Sequence, residues 1–155
     1  METVGLGFHL EDMPVGRTFR TIGRTVTEPD IVNFIGTTGL LEVMFTDLES
    51  QKDTPGITGR LVPGWLVLTL CEGLLVQATM QHTALAFLNM EFNVEKPVFA
   101  GDTIHVEVEV IESRRSKSRP DRGLVRTRNR VVNQRGETVQ VYTPLRMIKA
   151  RGQTD

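Results

Sequence analysis

The 155-residue sequence is short of several features that define whole classes of protein. Its single cysteine, Cys71, cannot form an intrachain disulfide, which indicates a reducing, cytoplasmic compartment. The 18 Lys and Arg residues nearly balance the 19 Asp and Glu residues, so the strongly basic face that nucleic-acid binding requires is not expected. The 3 histidines have no partners at the spacing of metal ligands, and no metal site is predicted.

Long hydrophobic runs and targeting signals are also missing. The most apolar stretch, residues 59–77, is too short and too polar at its ends to span a bilayer, which needs about 20 apolar residues. The N-terminus has no basic region followed by an apolar core, so no signal peptide is predicted. The sequence contains no internal repeat, and its length fits one domain over residues 1–155.

The chain is organised around that apolar stretch, whose sequence is GRLVPGWLVLTLCEGLLVQ. After Pro63-Gly64 it is long enough for about three to four helical turns, and it is apolar around most of its circumference. A helix of this kind is buried on most sides, so other elements must wrap around it. Cys71, in its middle, is predicted to be an inert part of the core.

The residues before this helix predict one strand and two shorter helices. A partly alternating run over residues 18–26 indicates the strand. Thr27 is a good N-cap for the first helix, and Asp30 is spaced to bond back to the cap. Thr46 or Asp47 is placed to cap a second, short helix.

After the central helix the hydrophobic pattern changes to the alternation of β-strands. Four strands are predicted, over residues 85–99, residues 103–112, a run through residues 125–131, and residues 137–148 with an interruption at Pro144. Acidic residues share one face of the second strand and arginines one face of the third. Pairing of these strands predicts a ladder of opposite charges between Glu107, Glu109 and Arg126, Arg128, Arg130. Helices followed by strands indicate the α+β class, with an antiparallel sheet curled round one helix.

Several short motifs follow one another over nearly the whole chain: Glu11-Asp12 with Val15-Gly16 and Phe19, Gly23-Arg24-Thr25-Val26-Thr27-Glu28, Gly59-Arg60-Leu61-Val62-Pro63-Gly64, and Lys96-Pro97-Val98-Phe99-Ala100-Gly101-Asp102-Thr103-Ile104. In this order they resemble the MaoC-like hydratases and dehydratases, the single hot-dog relatives of (R)-specific enoyl-CoA hydratases. The resemblance implies a hot-dog fold and an assembly that is at least dimeric. It also implies an acyl-CoA thioester as substrate, with no resident cofactor.

One motif of that family is altered here. Its hydratase signature, Gly-Asp-x-Asn-Pro-Leu-His-x-Asp, lies between the first helix and the central one. Gly39 and Asp47 match its two ends, but Leu40 stands in the place of the catalytic Asp and Phe45 in the place of the catalytic His. In the family this pair holds the water that adds to the enoyl double bond, and neither Leu nor Phe can transfer a proton. The usual mechanism therefore cannot run at this site.

Three residues remain as catalytic candidates. Glu42 lies among apolar residues; burial there would raise its pKa as a general acid or base requires, whereas a solvent-facing or arginine-paired side chain is the alternative. Asp47 is the other carboxylate of the segment, with a helix cap as its alternative role. The resemblance assigns to the amide of Gly64, at the positive end of the central helix, the polarisation of the thioester carbonyl.

Four residues are predicted to bind substrate. Phe45 and Trp65 suggest an apolar acyl pocket, and Arg60 and Arg115 are candidates for contact with the phosphates of coenzyme A. The basic hairpin tip that contains Arg115 is equally consistent with a solvated surface. Glu72, in the central helix, is either a paired carboxylate at a dimer seam or the base of a thioesterase.

Three functions are consistent with these residues. The first is a lyase that adds water to an acyl-CoA, or removes it, through a non-standard acid such as Glu42. The second is a non-catalytic acyl-CoA-binding subunit, in a homodimer or higher oligomer or paired with an intact hot-dog chain. The third is a thioesterase that uses Glu72. None of the three involves nucleic acid or a membrane.

Overall fold

The computed structural model describes residues 1–152, and the predicted α+β class is confirmed. The helices are α1 (Glu28–Thr38), α2 (Val43–Thr46), α3 (Leu48–Gln51) and α4 (Gly64–Thr79), and a 3₁₀ turn covers Leu10–Asp12. The strands are β1 (Thr18–Arg20), β2 (Arg24–Thr25), β3 (Ala84–Asn89), β4 (Phe92–Val94), β5 (Thr103–Arg115), β6 (Arg122–Asn133), β7 (Thr138–Tyr142) and β8 (Leu145–Lys149). Within these residues no helix is long and apolar enough to cross a membrane.

The eight strands of the described residues join one antiparallel sheet. The long strands β5 and β6 pair along most of their length and form its centre. β1 and β2 pair with β5, while β7 and β8 pair with different halves of β6. β4 lies outside β7 and β3 lies outside β8, so these two short strands make one edge of the sheet.

The central helix α4 packs against one face of this sheet. Its apolar side chains share one hydrophobic cluster with inward-facing residues of the strands, such as Val106 and Val131. Cys71 is fully buried in that cluster. Its burial, together with the neighbouring Glu72 carboxylate, raises the pKa of the thiol to about 12. The thiol therefore stays protonated near neutrality, and its predicted inert role is confirmed.

The single strand predicted over residues 18–26 is wrong in detail, because the structure divides it into β1 and β2. Between them, the Thr21 hydroxyl accepts a hydrogen bond from the Val106 amide at 3.0 Å and takes the place of a backbone carbonyl. β1 and β2 both pair with β5, but their registers differ by one residue because the segment between them has one residue more than the opposite part of β5. The extra residue is a β-bulge, which hydrophobic alternation does not reveal.

The strand predicted over residues 85–99 is also divided, into β3 and β4. The inner strands explain the break. Pro144, which has no amide hydrogen, separates β7 from β8 at the predicted interruption. Because β3 pairs with β8 and β4 pairs with β7, the edge strand changes partner where the inner strand is broken.

The start of α1 follows the predicted capping pattern. The Thr27 amide donates to the Asp30 carboxylate at 2.9 Å, and the Thr27 hydroxyl lies 2.8 Å from the same carboxylate. The hydrogen bond from the Thr27 amide is the main reason that the pKa of Asp30 lies below its usual value. At the other end, Gly39 stops the helix in the left-handed conformation, with φ at 71°.

The predicted ladder of opposite charges is confirmed. In the β5–β6 register Glu109 pairs with Arg128, whose Nη1 lies 2.8 Å from Oε2 of the glutamate. Glu107 pairs in the same way with Arg130, at 3.5 Å. These side chains are about half exposed, where an ion pair contributes up to about 1 kcal/mol. The ladder is therefore a solvated sheet surface rather than a functional site.

Candidate functional site

The first turn of α4 presents two backbone amides without an acceptor among the described residues. The amides of Leu66 and Val67 both donate to the Pro63 carbonyl, at 2.9 and 3.2 Å, whereas those of Gly64 and Trp65 make no hydrogen bond within residues 1–152. The 16 residues of α4 behind them add the positive end of the helix dipole. This turn can therefore bind a carbonyl oxygen or an anion.

Gly64 lines a cleft of about 310 Å³ between the start of α4, the helix α2 and the edge of the sheet. Its wall is mainly apolar, with Phe45 from α2, Val67 from α4 and Val94 from β4. Phe45 is 8% exposed, and the cleft thus brings together Phe45 and Gly64, two of the residues singled out from the sequence. Within the described residues, Lys96 is the one charged side chain of the lining.

Lys96 is held in an ion pair. Its Nζ lies 2.8 Å from Oε1 of Glu137, and its side chain is about half exposed. Hydrogen bonds from Asn133, then from Lys96 and Arg135, lower the pKa of Glu137 to about 2. The ammonium group therefore faces a carboxylate that stays ionised throughout the neutral range.

Glu42 lies outside the cleft. It is exposed and precedes α2, where its backbone carbonyl accepts hydrogen bonds from the Phe45 amide at 2.8 Å and the Thr46 hydroxyl at 3.1 Å. Its carboxylate makes no hydrogen bond or ion pair in the part of the chain that the structure describes. Of the two alternatives that the sequence left for Glu42, the structure shows the solvent-facing side chain, which precedes α2.

Asp47 caps a helix. Its Oδ1 accepts hydrogen bonds from the amides of Glu49 at 3.0 Å and Ser50 at 3.3 Å, at the start of α3. The capping role that the sequence offered as an alternative is confirmed. The carboxylate is also absent from the lining of the Gly64 cleft.

Apolar packing fills the two positions where the resemblance implies an acid and a base. Leu40 is partly buried against the main hydrophobic cluster, and Phe45 belongs to that cluster. Both side chains therefore contribute apolar surface where proton-transfer groups are otherwise expected.

The two arginines proposed for phosphate contact are engaged elsewhere. Nε of Arg60 lies 3.0 Å from both carboxylate oxygens of Glu28, and the guanidinium also donates to the Phe45 carbonyl, so this mostly buried side chain ties α1 to α2. Arg115 donates to Glu11 and to the Pro120 carbonyl at the far end of β5, outside the cleft. Neither guanidinium lies open at the cleft.

Trp65 points away from the cleft. Its ring stacks on Phe92 of β4 with centroids 5.3 Å apart, and 55% of the residue is exposed. Other exposed apolar residues lie on α4 and on the edge strand β3. We call this set of residues the edge band: Trp65, Val76, Leu85, Phe87 and Leu88. Exposed apolar groups along a free strand edge are typical of an interaction surface.

The carboxylate of Glu72 is paired with other side chains. This pairing was one of the two interpretations of Glu72 from the sequence. The Tyr142 hydroxyl donates to its Oε1 at 2.9 Å, and Arg146 donates to its Oε2. Arg146 is almost fully buried and also lies over the ring of Phe87, with its guanidinium carbon 5.4 Å from the ring centre. These contacts connect α4 to β3 beneath the edge band.

Sequence reasoning missed Gln140, which lines the cleft beside Gly64. This residue of β7 is 1% exposed, and its Nε2 donates to the Gly64 carbonyl at 2.8 Å. The sequence did contain a signal for this residue. In the alternating pattern of the last strand, Gln140 falls on the same inward face as Tyr142, where a polar side chain is unusual. No three His, Cys, Asp or Glu side chains gather as a metal ion would require, within residues 1–152.

Comparisons with known proteins agree with this architecture. A family model described as a MaoC like domain matches residues 11–134. A solved MaoC-like dehydratase from Rhodospirillum rubrum is 31% identical, with 94% of this chain and 99% of that chain covered and a TM-score of 0.80. A solved R-hydratase from Pseudomonas aeruginosa is 23% identical, with 94% of this chain and 88% of that chain covered and a TM-score of 0.76.

A third solved structure carries the same fold twice. Rv0216 from Mycobacterium tuberculosis, which has a double hot-dog fold, is 20% identical, with 99% of this chain and 47% of that chain covered and a TM-score of 0.85. A search of curated proteins found no match. The matched family model spans most of the chain, and the 31% identical dehydratase is covered over nearly its whole length. The chain therefore belongs to the MaoC-like family of hydratases and dehydratases and has the hot-dog fold.

Proposed function

We propose that this chain binds the acyl part of an acyl-CoA thioester in the Gly64 cleft and does not itself supply the acid and base of hydration. The observation that carries the proposal is the cleft lining. Within the described residues it consists of apolar and uncharged side chains and Lys96, with no carboxylate or imidazole. An apolar wall suits an acyl chain, and a free amide at the start of a helix suits a thioester carbonyl.

Hydration of an enoyl thioester needs one group that takes a proton from water and one that gives a proton to carbon, both within hydrogen-bond reach. The carboxylates singled out from the sequence do not meet this condition in the single chain. Glu42 faces solvent, and Asp47 is bound to two amides of α3. Glu72 is bound by two side chains on another part of α4. A binding role therefore fits the lining better than the lyase or the thioesterase role.

Membership of a hydratase and dehydratase family supports the choice of substrate class. On this proposal the acid and base come from a second hot-dog chain that carries the intact signature, or the bound thioester is not hydrated at all. The edge band supports a partner of this kind, because β3 contains no charged residue and one of its edges has no strand beside it in the described residues. An edge strand of another hot-dog chain would complete the sheet.

The first test measures binding and turnover separately. The purified protein is expected to bind butyryl-CoA in calorimetry but to leave the conjugated absorbance of crotonyl-CoA unchanged. Met44→Trp, which narrows the cleft, is expected to weaken butyryl-CoA binding at least tenfold, because a bulky ring fills the space of the acyl chain. Val43→Trp is the matched control, since Val43 is exposed beside Met44 but does not line the cleft.

Two results would contradict the proposal. If the purified protein does not bind butyryl-CoA, the proposed binding of an acyl-CoA in the Gly64 cleft is contradicted. Hydration of crotonyl-CoA by the purified chain, abolished by Glu42→Gln, would instead establish a lyase with Glu42 as its acid or base, because loss of such a group lowers the rate by about 10²–10⁴-fold.

The second test concerns assembly. The protein is expected to sediment at twice the mass of one chain, and Leu88→Arg is expected to convert it to the monomer mass, because a charged side chain on the open edge opposes strand pairing. Val15→Arg, at an exposed valine outside the edge band, serves as the control and should leave the dimer intact. A wild-type protein that sediments as a monomer at micromolar concentration would show that the edge band does not join two copies of this chain.

A further inference from the structure

Gln140 contacts the backbone of Gly64, at the first turn of α4 where the two amides without an acceptor lie. Its Nε2 donates to the Gly64 carbonyl at 2.8 Å, from a side chain that is 1% exposed. A Cβ at Gly64 would meet nothing closer than Val94 Cγ2 at 3.5 Å and this same Nε2 at 3.6 Å. Both are ordinary van der Waals distances, and the hydrogen bond from Gln140 anchors the carbonyl of this glycine.

Glycine needs such an anchor more than any other residue would. Gly64 has no side chain to restrict its φ and ψ angles, and it stands in the first helical turn, where its amide has no intrahelical acceptor. The Gly64 carbonyl and the Trp65 amide belong to one planar peptide unit, so rotation of that unit would turn the Trp65 amide away from a bound ligand. The hydrogen bond to the Gly64 carbonyl opposes that rotation. The Gly64 amide belongs to the unit of the Pro63 carbonyl, which accepts from the Leu66 and Val67 amides.

The other end of the Gln140 side chain shows that stability alone does not explain the residue. Its Oε1 is buried and has no hydrogen-bond partner in the described part of the chain. The two ends of the carboxamide cannot be exchanged, because the Gly64 carbonyl accepts and only the nitrogen donates. A buried acceptor without a partner destabilises a fold, and a methionine of similar length would fill the space without one.

We propose that Gln140 is a positioning residue, which holds the Trp65 amide in the first turn of α4 in the direction that polarises the carbonyl of a bound acyl thioester. This inference rests on the proposed acyl-thioester binding in the Gly64 cleft. Donors that are held in place before the ligand arrives stabilise charge on a carbonyl oxygen better than donors that must reorient. Gln140 acts through Gly64 and makes no contact with the reacting atoms.

The test uses butyryl-CoA labelled with ¹³C at its carbonyl carbon, which has no double bond for hydration. The ¹³C resonance of the bound ligand is expected to move downfield on the wild-type protein, because a polarised carbonyl carbon is deshielded. In Gln140→Met that movement is expected to fall by about half at saturation, with affinity about fivefold lower, the usual effect of one hydrogen bond. The melting temperature of Gln140→Met is expected to be unchanged or higher.

Tyr142→Phe is the matched control. It removes a hydrogen bond from the same face of the same strand, two residues away, but leaves the Gly64 carbonyl untouched. Its bound ¹³C shift should equal that of the wild type, even if its melting temperature falls. An unchanged shift in Gln140→Met would overturn the positioning role while leaving acyl-thioester binding intact. A wild-type protein that does not bind the labelled ligand would overturn the proposed function, and the positioning role with it.

Discussion

Replacing Glu72 by alanine is expected to lower the free energy of unfolding by about 3 kcal/mol. The substitution leaves the guanidinium of Arg146 without its carboxylate, and 9% of the Arg146 side chain is exposed. Breaking a buried ion pair by removing one partner typically costs about 3–5 kcal/mol, because the remaining charge stays out of water. The lower end of that range applies, since 27% of the Glu72 side chain is exposed and water can reach the vacated space.

The Tyr142 hydroxyl adds to the effect. It donates to Oε1 of Glu72 from a buried site, and burial is the main reason that its pKa is raised, followed by the Glu72 charge. Without Glu72 this hydroxyl loses its acceptor. Glu72→Gln keeps an oxygen in that place and removes only the charge, so it is expected to cost about half as much. Urea unfolding followed by circular dichroism, at one protein concentration, measures both variants.

A double variant distinguishes the stability that comes from the charges of Glu72 and Arg146 from the stability that comes from the packing of their side chains. Glu72→Leu combined with Arg146→Met replaces both charges by apolar side chains, and it is expected to recover most of the stability that Glu72→Ala loses. A loss below about 1 kcal/mol in Glu72→Ala would show that Arg146 reaches water readily and that the pair is not effectively buried. The same variant also tests the thioesterase interpretation, since hydrolysis of an acyl-CoA by the wild type and not by Glu72→Ala would favour it.

Features that depend on residues close together in sequence could be predicted. The helix α4 followed from a long apolar run after Pro63-Gly64, and the capped start of α1 followed from the spacing of Thr27 and Asp30. The charge ladder on β5 and β6 needed only strict alternation and one hairpin, and Glu107 and Glu109 lie opposite Arg130 and Arg128. An irregularity after Val110, which alternation does not reveal, places Arg126 opposite Glu112. In each case the period of the element decides which side chains meet.

Features that depend on distant parts of the chain could not be predicted. Whether Glu42 is buried is decided by how α2 turns against the cleft, and that short helix has no hydrophobic periodicity of its own. The ion pair of Arg60 with Glu28 joins residues 32 positions apart, and no pattern in the sequence indicated it. Gln140 meets Gly64 across 76 positions, so no local pattern connects a polar residue on β7 with the first turn of α4.

A second large effect is expected at Asp102, which joins the turn before β5 to the β6–β7 hairpin through three hydrogen bonds. Its Oδ2 accepts from the Phe99 amide at 2.9 Å, and its Oδ1 accepts from Gln134 Nε2 at 2.6 Å and Arg135 Nη1 at 3.0 Å. The carboxylate is buried, with 7% of the side chain exposed. Asp102→Ala removes the acceptor for all three donors, and the free energy of unfolding is expected to fall by about 3 kcal/mol.

The stability that Asp102 contributes is also expected to depend on pH. Burial by itself would raise the pKa of this carboxyl, but the hydrogen bonds from Gln134, Phe99 and Arg135 outweigh it, and the pKa lies below its usual value. A carboxyl whose pKa is lower in the folded state stabilises the fold above its unfolded pKa of about 3.9, and this contribution is lost as the pH falls through the folded pKa.

The pH dependence separates the charge of Asp102 from its shape. The difference in unfolding free energy between the wild type and Asp102→Asn is expected to be constant above about pH 5 and to shrink below about pH 4. Glu137, whose pKa is held at about 2, is present in both proteins, so its titration largely cancels in the difference. A difference that stays constant down to about pH 2 would mean that hydrogen-bond geometry, not the ionised carboxylate, joins the turn before β5 to the β6–β7 hairpin. As a control, the difference in unfolding free energy between the wild type and Asp53→Asn should not change below about pH 4, because Asp53 is an exposed aspartate of the loop after α3.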